Sequence, residues 1–128
     1  MVKVETGIDL VEIARFSKIN PKIRQRFYER VYTTGEISAC NGRDDHFAGR
    51  FAAKEAAAKA LGTGIGIIHW HDLELLSDEN GKPILLLHGE AEKIALEKGW
   101  SSWSVSITHT ASIAVAVVTA LLEDPVSK

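Results

Sequence analysis

Phe51-Ala-Ala-Lys-Glu-Ala-Ala-Ala-Lys-Ala-Leu-Gly-Thr-Gly64 is a helix written largely in alanine, followed by its stop signal. Alanine has the strongest helix propensity, and its small side chain lets other backbone or a ligand come close. Glu55 and Lys59 are four apart and lie one turn above the other, with Phe51 one turn before Glu55 on the same stripe. Gly62 can take the left-handed conformation that ends a helix. A carboxylate on such a face can hold a hard cation, and a lysine one turn away can meet a phosphate. The pattern predicts the helix over about Asp45 to Leu61.

Upstream, Val2, Val4, Thr6 and Ile8 alternate with Lys3, Glu5 and Gly7, the period of a half-buried strand that ends at Gly7-Ile8-Asp9. Asp9 is thus expected where strand gives way to helix. Leu10 to Ile19 has helical apolar spacing, Asn20-Pro21 reads as an N-cap with proline in the first turn, and Lys22 to Val31 continues as a second, basic helix. These two segments carry Arg15, Arg24, Arg26 and Arg30. Thr33 and Glu36 offer a capping box for a short helix through about Cys40.

Downstream, Asp72 to Ser77 and Ile84 to Leu87 flank Asp78-Glu79-Asn80-Gly81-Lys82-Pro83, whose Asn-Gly pair signals a hairpin; Pro83 belongs at a strand start or on an edge. Glu90 to Lys98 reads as an amphipathic helix closed by Gly99. Ser102 to Thr108 alternates, with Trp103, Val105, Ile107 and His109 on one face, and Ser112 to Leu122 is apolar on both faces, as a central strand is. Short connections make the sheet largely antiparallel. The expected class is α+β, a largely antiparallel sheet packed against the long alanine-rich helix and several shorter helices.

A chain of 128 residues, 45% hydrophobic and 25% charged, fits a single domain over 1–128. Fifteen basic against seventeen acidic residues give a net charge of −2, which argues against a chain built to coat nucleic acid or an anionic membrane. Cys40 is the one cysteine, so neither an internal disulfide nor a cysteine-based zinc site can form. The first residues lack the basic-then-apolar pattern of a signal peptide, and no stretch approaches the ~18 apolar residues of a membrane span. A cytoplasmic protein is expected.

Taken singly, the polar candidates have ordinary structural readings. Asp9, with Glu12 three residues on, reads as an N-cap, Glu55 with Lys59 as a surface ion pair, and the arginines as a solvated face. His109 shares its strand face with Trp103, Val105 and Ile107, so a histidine satisfied by a local hydrogen bond is the default. His69-Trp70-His71-Asp72, read as a strand, would point two histidines the same way beside a carboxylate, a weak metal signal. No serine-nucleophile motif, Walker loop or dinucleotide fingerprint is present; Gly62-Thr63-Gly64-Ile65-Gly66 follows a helix instead of opening one.

The pieces gain meaning together. Gly7-Ile8-Asp9-Leu10-Val11-Glu12, Arg50 to Ala60 with Gly62-Thr63-Gly64, Asn80-Gly81-Lys82-Pro83, and Val105-Ser106-Ile107-Thr108-His109-Thr110 occur in an order that resembles the holo-acyl-carrier-protein synthase family, the small bacterial 4′-phosphopantetheinyl transferases. The resemblance covers nearly the whole chain. It implies transfer of 4′-phosphopantetheine from coenzyme A to a serine hydroxyl of apo acyl carrier protein in fatty-acid synthesis, releasing adenosine 3′,5′-bisphosphate. By the same resemblance Asp9 and Glu55 match magnesium ligands, Lys59 a lysine near the pyrophosphate, and His109 a histidine lining the coenzyme A site. The serine proton would go to Glu55 or to a water on the ion, and the residues leave both open.

The resemblance further implies that Arg50, Gly62, Thr63, Asn80, Gly81, Lys82, Pro83, His109 and Thr110 line the nucleotide site. Arg15, Arg26 and Arg30 match positions that dock the acidic carrier, and a net-acidic enzyme needs such a local basic patch for an acidic partner. The family is commonly a homotrimer with sites between subunits, and the face bearing Trp103, Val105 and Ile107 is compatible with assembly. One departure stands out: a short Gly42-Arg43-Asp44-Asp45-His46 replaces the usual basic segment, leaving Arg43 to meet the 3′-phosphate alone. The alternatives are a carrier-binding module without turnover and a zinc hydrolase built on His69, His71 and Asp72.

Overall fold

The alanine helix is the axis on which the fold is built. The structure, a computed structural model, describes residues 1–124. Helix α4, Asp44–Leu61, buries Ala48, Ala52, Ala53, Ala56, Ala57, Ala58 and Ala60 and ends at Gly62 in the left-handed region, φ 79°. A helix apolar on nearly every side is one enclosed by neighbours. On one side lies a three-stranded sheet, order β1-β5-β4, of β1 (Val2–Glu12), β5 (Ile113–Glu123) and β4 (Trp100–His109). Both pairings are antiparallel and β5 is central, as its two-faced apolar sequence requires. Gly7 lets β1 lie directly on α4, since a Cβ there would run into the Ala56 carbonyl oxygen.

The other side of α4 is covered by α1 (Ala14–Ser17), α2 (Pro21–Val31) and α3 (Thr34–Cys40). Asn20 caps α2 by accepting from the Lys22 amide at 3.0 Å, and the Thr33–Glu36 capping box opens α3. Aromatic contacts fasten these helices to α4: Tyr28 stacks on Phe47 with ring centroids 4.0 Å apart, and Phe16 meets Phe51 edge-on at 5.7 Å. A separate hairpin of β2 (Leu73–Ser77) and β3 (Pro83–Leu87) pairs Ser77 with Pro83, putting the proline at its strand start. Helix α5, Gly89–Glu97, leads through Gly99 at φ 86° into β4.

Three expectations need correction. β1 does not stop at Asp9 but pairs with β5 out to Glu12↔Ile113, so the helix expected over Leu10 to Ile19 shrinks to α1, and Asp9 is mid-strand, not an N-cap. The strand is half-buried through its other row: Gly7 and Val11 are buried, whereas Val2, Val4, Ile8 and Leu10 are exposed. Finally, the face carrying Trp103, Val105 and Ile107 is largely used within the chain: Val105 is buried, an Ile107 methyl lies over Gly49, and Trp103, though still part-exposed, donates its indole N–H to the Leu85 carbonyl at 2.9 Å. Val2, Val4, Ile8 and Leu10 form an exposed apolar row on β1.

Candidate active site

Asp9 leaves β1 on the same row as Gly7 and Val11, the row that meets α4, so the strand carries it to Glu55 and Lys59. The Lys59 ammonium donates to the Asp9 carboxylate at 3.1 Å and to the Ile8 carbonyl at 3.0 Å, so the lysine partners Asp9 across the sheet–helix junction and not its helical neighbour. Burial pushes the Glu55 carboxyl above the usual carboxylate range, and the Asp9 charge pushes it further, while Lys59 and Arg15 pull against both. Two carboxylates at close quarters with too little compensating charge suit a hard cation that accepts oxygen ligands. Arg15 closes the group, its guanidinium carbon 5.9 Å from the centre of the Phe51 ring.

Beyond this cluster, the end of α4 meets a pocket of about 280 Å³ lined by Lys3, Glu5, Lys59, Gly62 and Lys98 among others. Lys98 donates to the Leu61 carbonyl and so holds the helix end. Thr63 bonds through its hydroxyl to the Gly64 carbonyl at 2.9 Å.

The remaining candidates gather around the start of α4. A pocket of about 350 Å³ is walled by Ala39, Leu75, Leu76 and Ile107 and edged by Arg50, Gly81, Pro83 and His109, with Asp45 and His46 beside them. Arg50 is fixed by its Nε donating to the Leu75 carbonyl at 3.0 Å. His109 donates through Nδ1 to the Thr110 carbonyl at 3.0 Å and turns Nε2 toward Asp45, 3.5 Å away. The turn holds its shape because Asp78 accepts from the Asn80 and Lys82 amides at 2.8 and 2.9 Å; Asn80 and Lys82 themselves are exposed. The Thr110 hydroxyl oxygen accepts from the Ser112 and Ile113 amides, building the β4–β5 turn.

Two groups of site residues therefore stand apart within one chain. At about 100° per residue, Glu55 and Lys59 lie about 140–180° round α4 from Arg50, on nearly the opposite face. Of the proposed docking residues, Arg26 and Arg30 are exposed one turn apart on α2, with Lys22 one turn earlier extending the stripe. Arg24 turns inward to the Ser17 and Ile19 carbonyls at 3.2 and 3.0 Å.

Sequence reading missed Asp45 and His46 as pocket residues, since both looked like first-turn helix residues; the signal was their spacing, one turn before Gly49 and Arg50. His69, His71 and Asp72 do not form the expected strand. Trp70–Asp72 is a 3₁₀ turn in which the His69 amide donates to Asp72 and His71 donates to the Glu29 carbonyl at 2.7 Å, so the histidines have separate structural partners. Among the described residues, no three His, Cys, Asp or Glu side chains gather as a metal cluster.

Comparison with known proteins gives the same direction at each level. A family model described as the 4′-phosphopantetheinyl transferase superfamily matches residues 5–118. A holo-[acyl-carrier-protein] synthase of Herpetosiphon aurantiacus is 45% identical over 120 residues, covering 88% of this chain and 94% of that protein. One from Carboxydothermus hydrogenoformans is 43% identical over 115 residues, covering 88% and 93%. Among solved structures, Helicobacter pylori holo-[acyl-carrier-protein] synthase in complex with coenzyme A superposes with a TM-score of 0.81 at 35% identity, over 90% of this chain and 98% of that one. The Neisseria meningitidis enzyme gives 0.80 at 36% identity, over 91% and 96%.

Proposed function

The chain belongs to the 4′-phosphopantetheinyl transferase superfamily, and from that premise we propose that it transfers 4′-phosphopantetheine from coenzyme A to a serine of apo acyl carrier protein. The serine oxygen forms the new P–O bond as the pyrophosphate bridge breaks, and adenosine 3′,5′-bisphosphate leaves. The observation that carries this reading is the meeting of Asp9, Glu55 and Lys59 across β1 and α4.

Asp9 and Glu55 would hold Mg²⁺, which needs only one or two protein carboxylates when substrate phosphates and water complete its shell. When bound, the ion neutralises charge on the pyrophosphate. Lys59, pinned by a carbonyl and by Asp9, keeps a donor to offer a phosphate oxygen and stabilises charge on the leaving group. The serine proton would go to Glu55 or to a water on the ion; burial and the Asp9 charge both raise the proton affinity of Glu55.

The adenosine end fits the second pocket, where apolar walls can hold a base and Arg50 and His109 can meet phosphate or ribose oxygens beside the Gly81–Pro83 turn. Glu55 and Arg50 face opposite ways on α4, and Val2, Val4, Ile8 and Leu10 are exposed on β1. Both facts support a homotrimer in which the pocket of one copy completes the carboxylate site of the next. Arg15, Arg26 and Arg30 would steer the acidic carrier toward Glu55. A cytoplasmic role in fatty-acid synthesis is part of this proposal. No described helix is long and apolar enough to cross a membrane.

The test is direct: incubate apo carrier, coenzyme A and Mg²⁺ with the protein and weigh the carrier by mass spectrometry. Gain of one phosphopantetheine arm is expected; an unchanged mass overturns the reading.

A further inference from the structure

The pocket proposed for the nucleotide is lined by an acid, Asp45, that faces an arginine and a histidine at its edge. Asp45 takes two donors of the arginine two residues before it, Arg43 Nε to Oδ1 at 3.2 Å and Nη2 to Oδ2 at 2.8 Å, and the same Oδ2 is 3.5 Å from His109 Nε2. The two-point fork on Arg43 is the geometry a guanidinium also uses for phosphate. Arg43 holds the Asp45 carboxyl below the usual carboxylate range, so Asp45 is ionised at neutral pH. Arg43 is 58% exposed and can swing; Asp45, at 19%, is the more fixed partner. Arg43 cannot give its full donor set to a nucleotide phosphate while Asp45 keeps its hold, and the same carboxylate lies beside the His109 Nε2 that a phosphate would approach.

We infer that Asp45 is an internal competitor for the 3′-phosphate of the nucleotide, an affinity-setting residue that coenzyme A must displace from Arg43 and His109 to bind. The inference rests on the coenzyme A reading above. It assigns Asp45 a use: a carboxylate that re-pairs with Arg43 as adenosine 3′,5′-bisphosphate departs weakens product binding and favours release. It also makes Asp45 the residue that limits discrimination between coenzyme A and dephospho-coenzyme A, which lacks that phosphate.

Titration calorimetry of the full chain with each of these two ligands in Mg²⁺ tests it, comparing the unsubstituted protein with Asp45→Asn. Coenzyme A should bind Asp45→Asn about three- to tenfold more tightly, the scale of a partly exposed charge pair, with dephospho-coenzyme A unchanged. Unchanged or weaker coenzyme A binding, or equal tightening of both ligands, overturns the inference; weaker binding would mean that Asp45 positions Arg43 for the ligand. Arg43→Gln supplies a second measurement: it should cost little discrimination with Asp45 present and more in the Asp45→Asn background, and the reverse order overturns the competition. If Asp45→Asn does not fold, Asp45→Ser takes its place. Failure of the unsubstituted protein to bind either ligand overturns the coenzyme A reading and this inference with it; binding without the Asp45 effect overturns the inference alone.

Discussion

Lys54 and Glu55 are neighbours on α4, and their charges have opposite fates. Lys54 enters the core and pairs with Glu36 at 2.8 Å with neither side chain exposed. Its ammonium also donates to the Trp70 and Leu73 carbonyls at 3.0 and 2.5 Å, while Glu36 accepts from the Thr33 and Leu75 amides at 2.9 and 2.8 Å. Burial draws the lysine pKa down, and Glu36 opposes that. The pair thus ties α3, α4 and β2 together with its donors and acceptors used. Asp9, by contrast, takes one half-exposed ammonium, and Glu55 has no hydrogen-bond or ion-pair partner among the described residues, so carboxylate oxygens are left unused. A charge satisfied inside the fold is structure, and one left unsatisfied at a junction is available for a ligand.

The hardest test of that contrast is to break the buried pair. Lys54→Ala should destabilise the protein by about 3–5 kcal/mol, because Glu36 is left charged and dry. Against a total stability of about 5–15 kcal/mol, chemical denaturation would show a large drop in midpoint. Replacing both partners by Leu and Met should recover only part of it, since the Thr33 and Leu75 amides lose their acceptor. Full recovery would mean that Glu36 acts only through Lys54.

On the open side the expected change is in activity. Asp9→Ala and Glu55→Ala should each lower carrier modification by about a hundredfold or more, with a denaturation midpoint near that of the parent. A comparable loss of stability would erase the distinction between the two regions.

Much of this was legible because it is local. The alanine helix, its Gly62 stop, the Asn20 and Thr33 caps and the hairpin all follow from residues within a turn of one another. Central β5 followed from its composition. The extension of β1 past Asp9 was not legible, because Leu10, Val11, Ile13 and Phe16 also fit a helix, and what decides is an eleven-residue partner at the other end of the chain. The Lys54–Glu36 pair was missed for a similar reason. Its partners are far apart in sequence and each resembles a surface residue, although alanines on nearly all sides of α4 imply that a charge among them needs an enclosed partner. Asp9, Glu55 and His109 had ordinary local readings, and it was their order along the chain that singled them out.

A smaller effect separates docking from chemistry. Arg15 lies near Glu55 and lowers its proton affinity, whereas Arg26 is an exposed residue of the α2 stripe. Arg26→Glu should slow carrier association about tenfold at low salt, fade as salt rises, and leave the coenzyme A affinity unchanged. Arg15→Glu should add to this a rise in the pH at which activity appears, because Glu55 loses a cation that favours its ionised form. Stopped-flow association and pH–rate profiles distinguish the two.

The smallest effect bears on the cost of keeping Glu55 charged. Its folded-state pKa is raised, first by burial and then by Asp9, so the folded protein binds this proton more tightly than the unfolded chain does. That contribution to stability is fully present below the ordinary carboxylate pKa and is lost as pH rises through the raised value. At pH 7 the ionised Glu55 is therefore a burden, and neutral, isosteric Glu55→Gln should raise the melting temperature by about 1–3 °C, modest because the group is partly solvated. Near pH 4, at about the ordinary carboxylate pKa, most of the gain should vanish. Mg²⁺ should stabilise the parent protein by binding its folded state, and Glu55→Gln much less. A glutamine variant no more stable than its parent at pH 7, yet still stabilised by Mg²⁺, would show that Glu55 is as well satisfied as Glu36 and that the ion binds elsewhere.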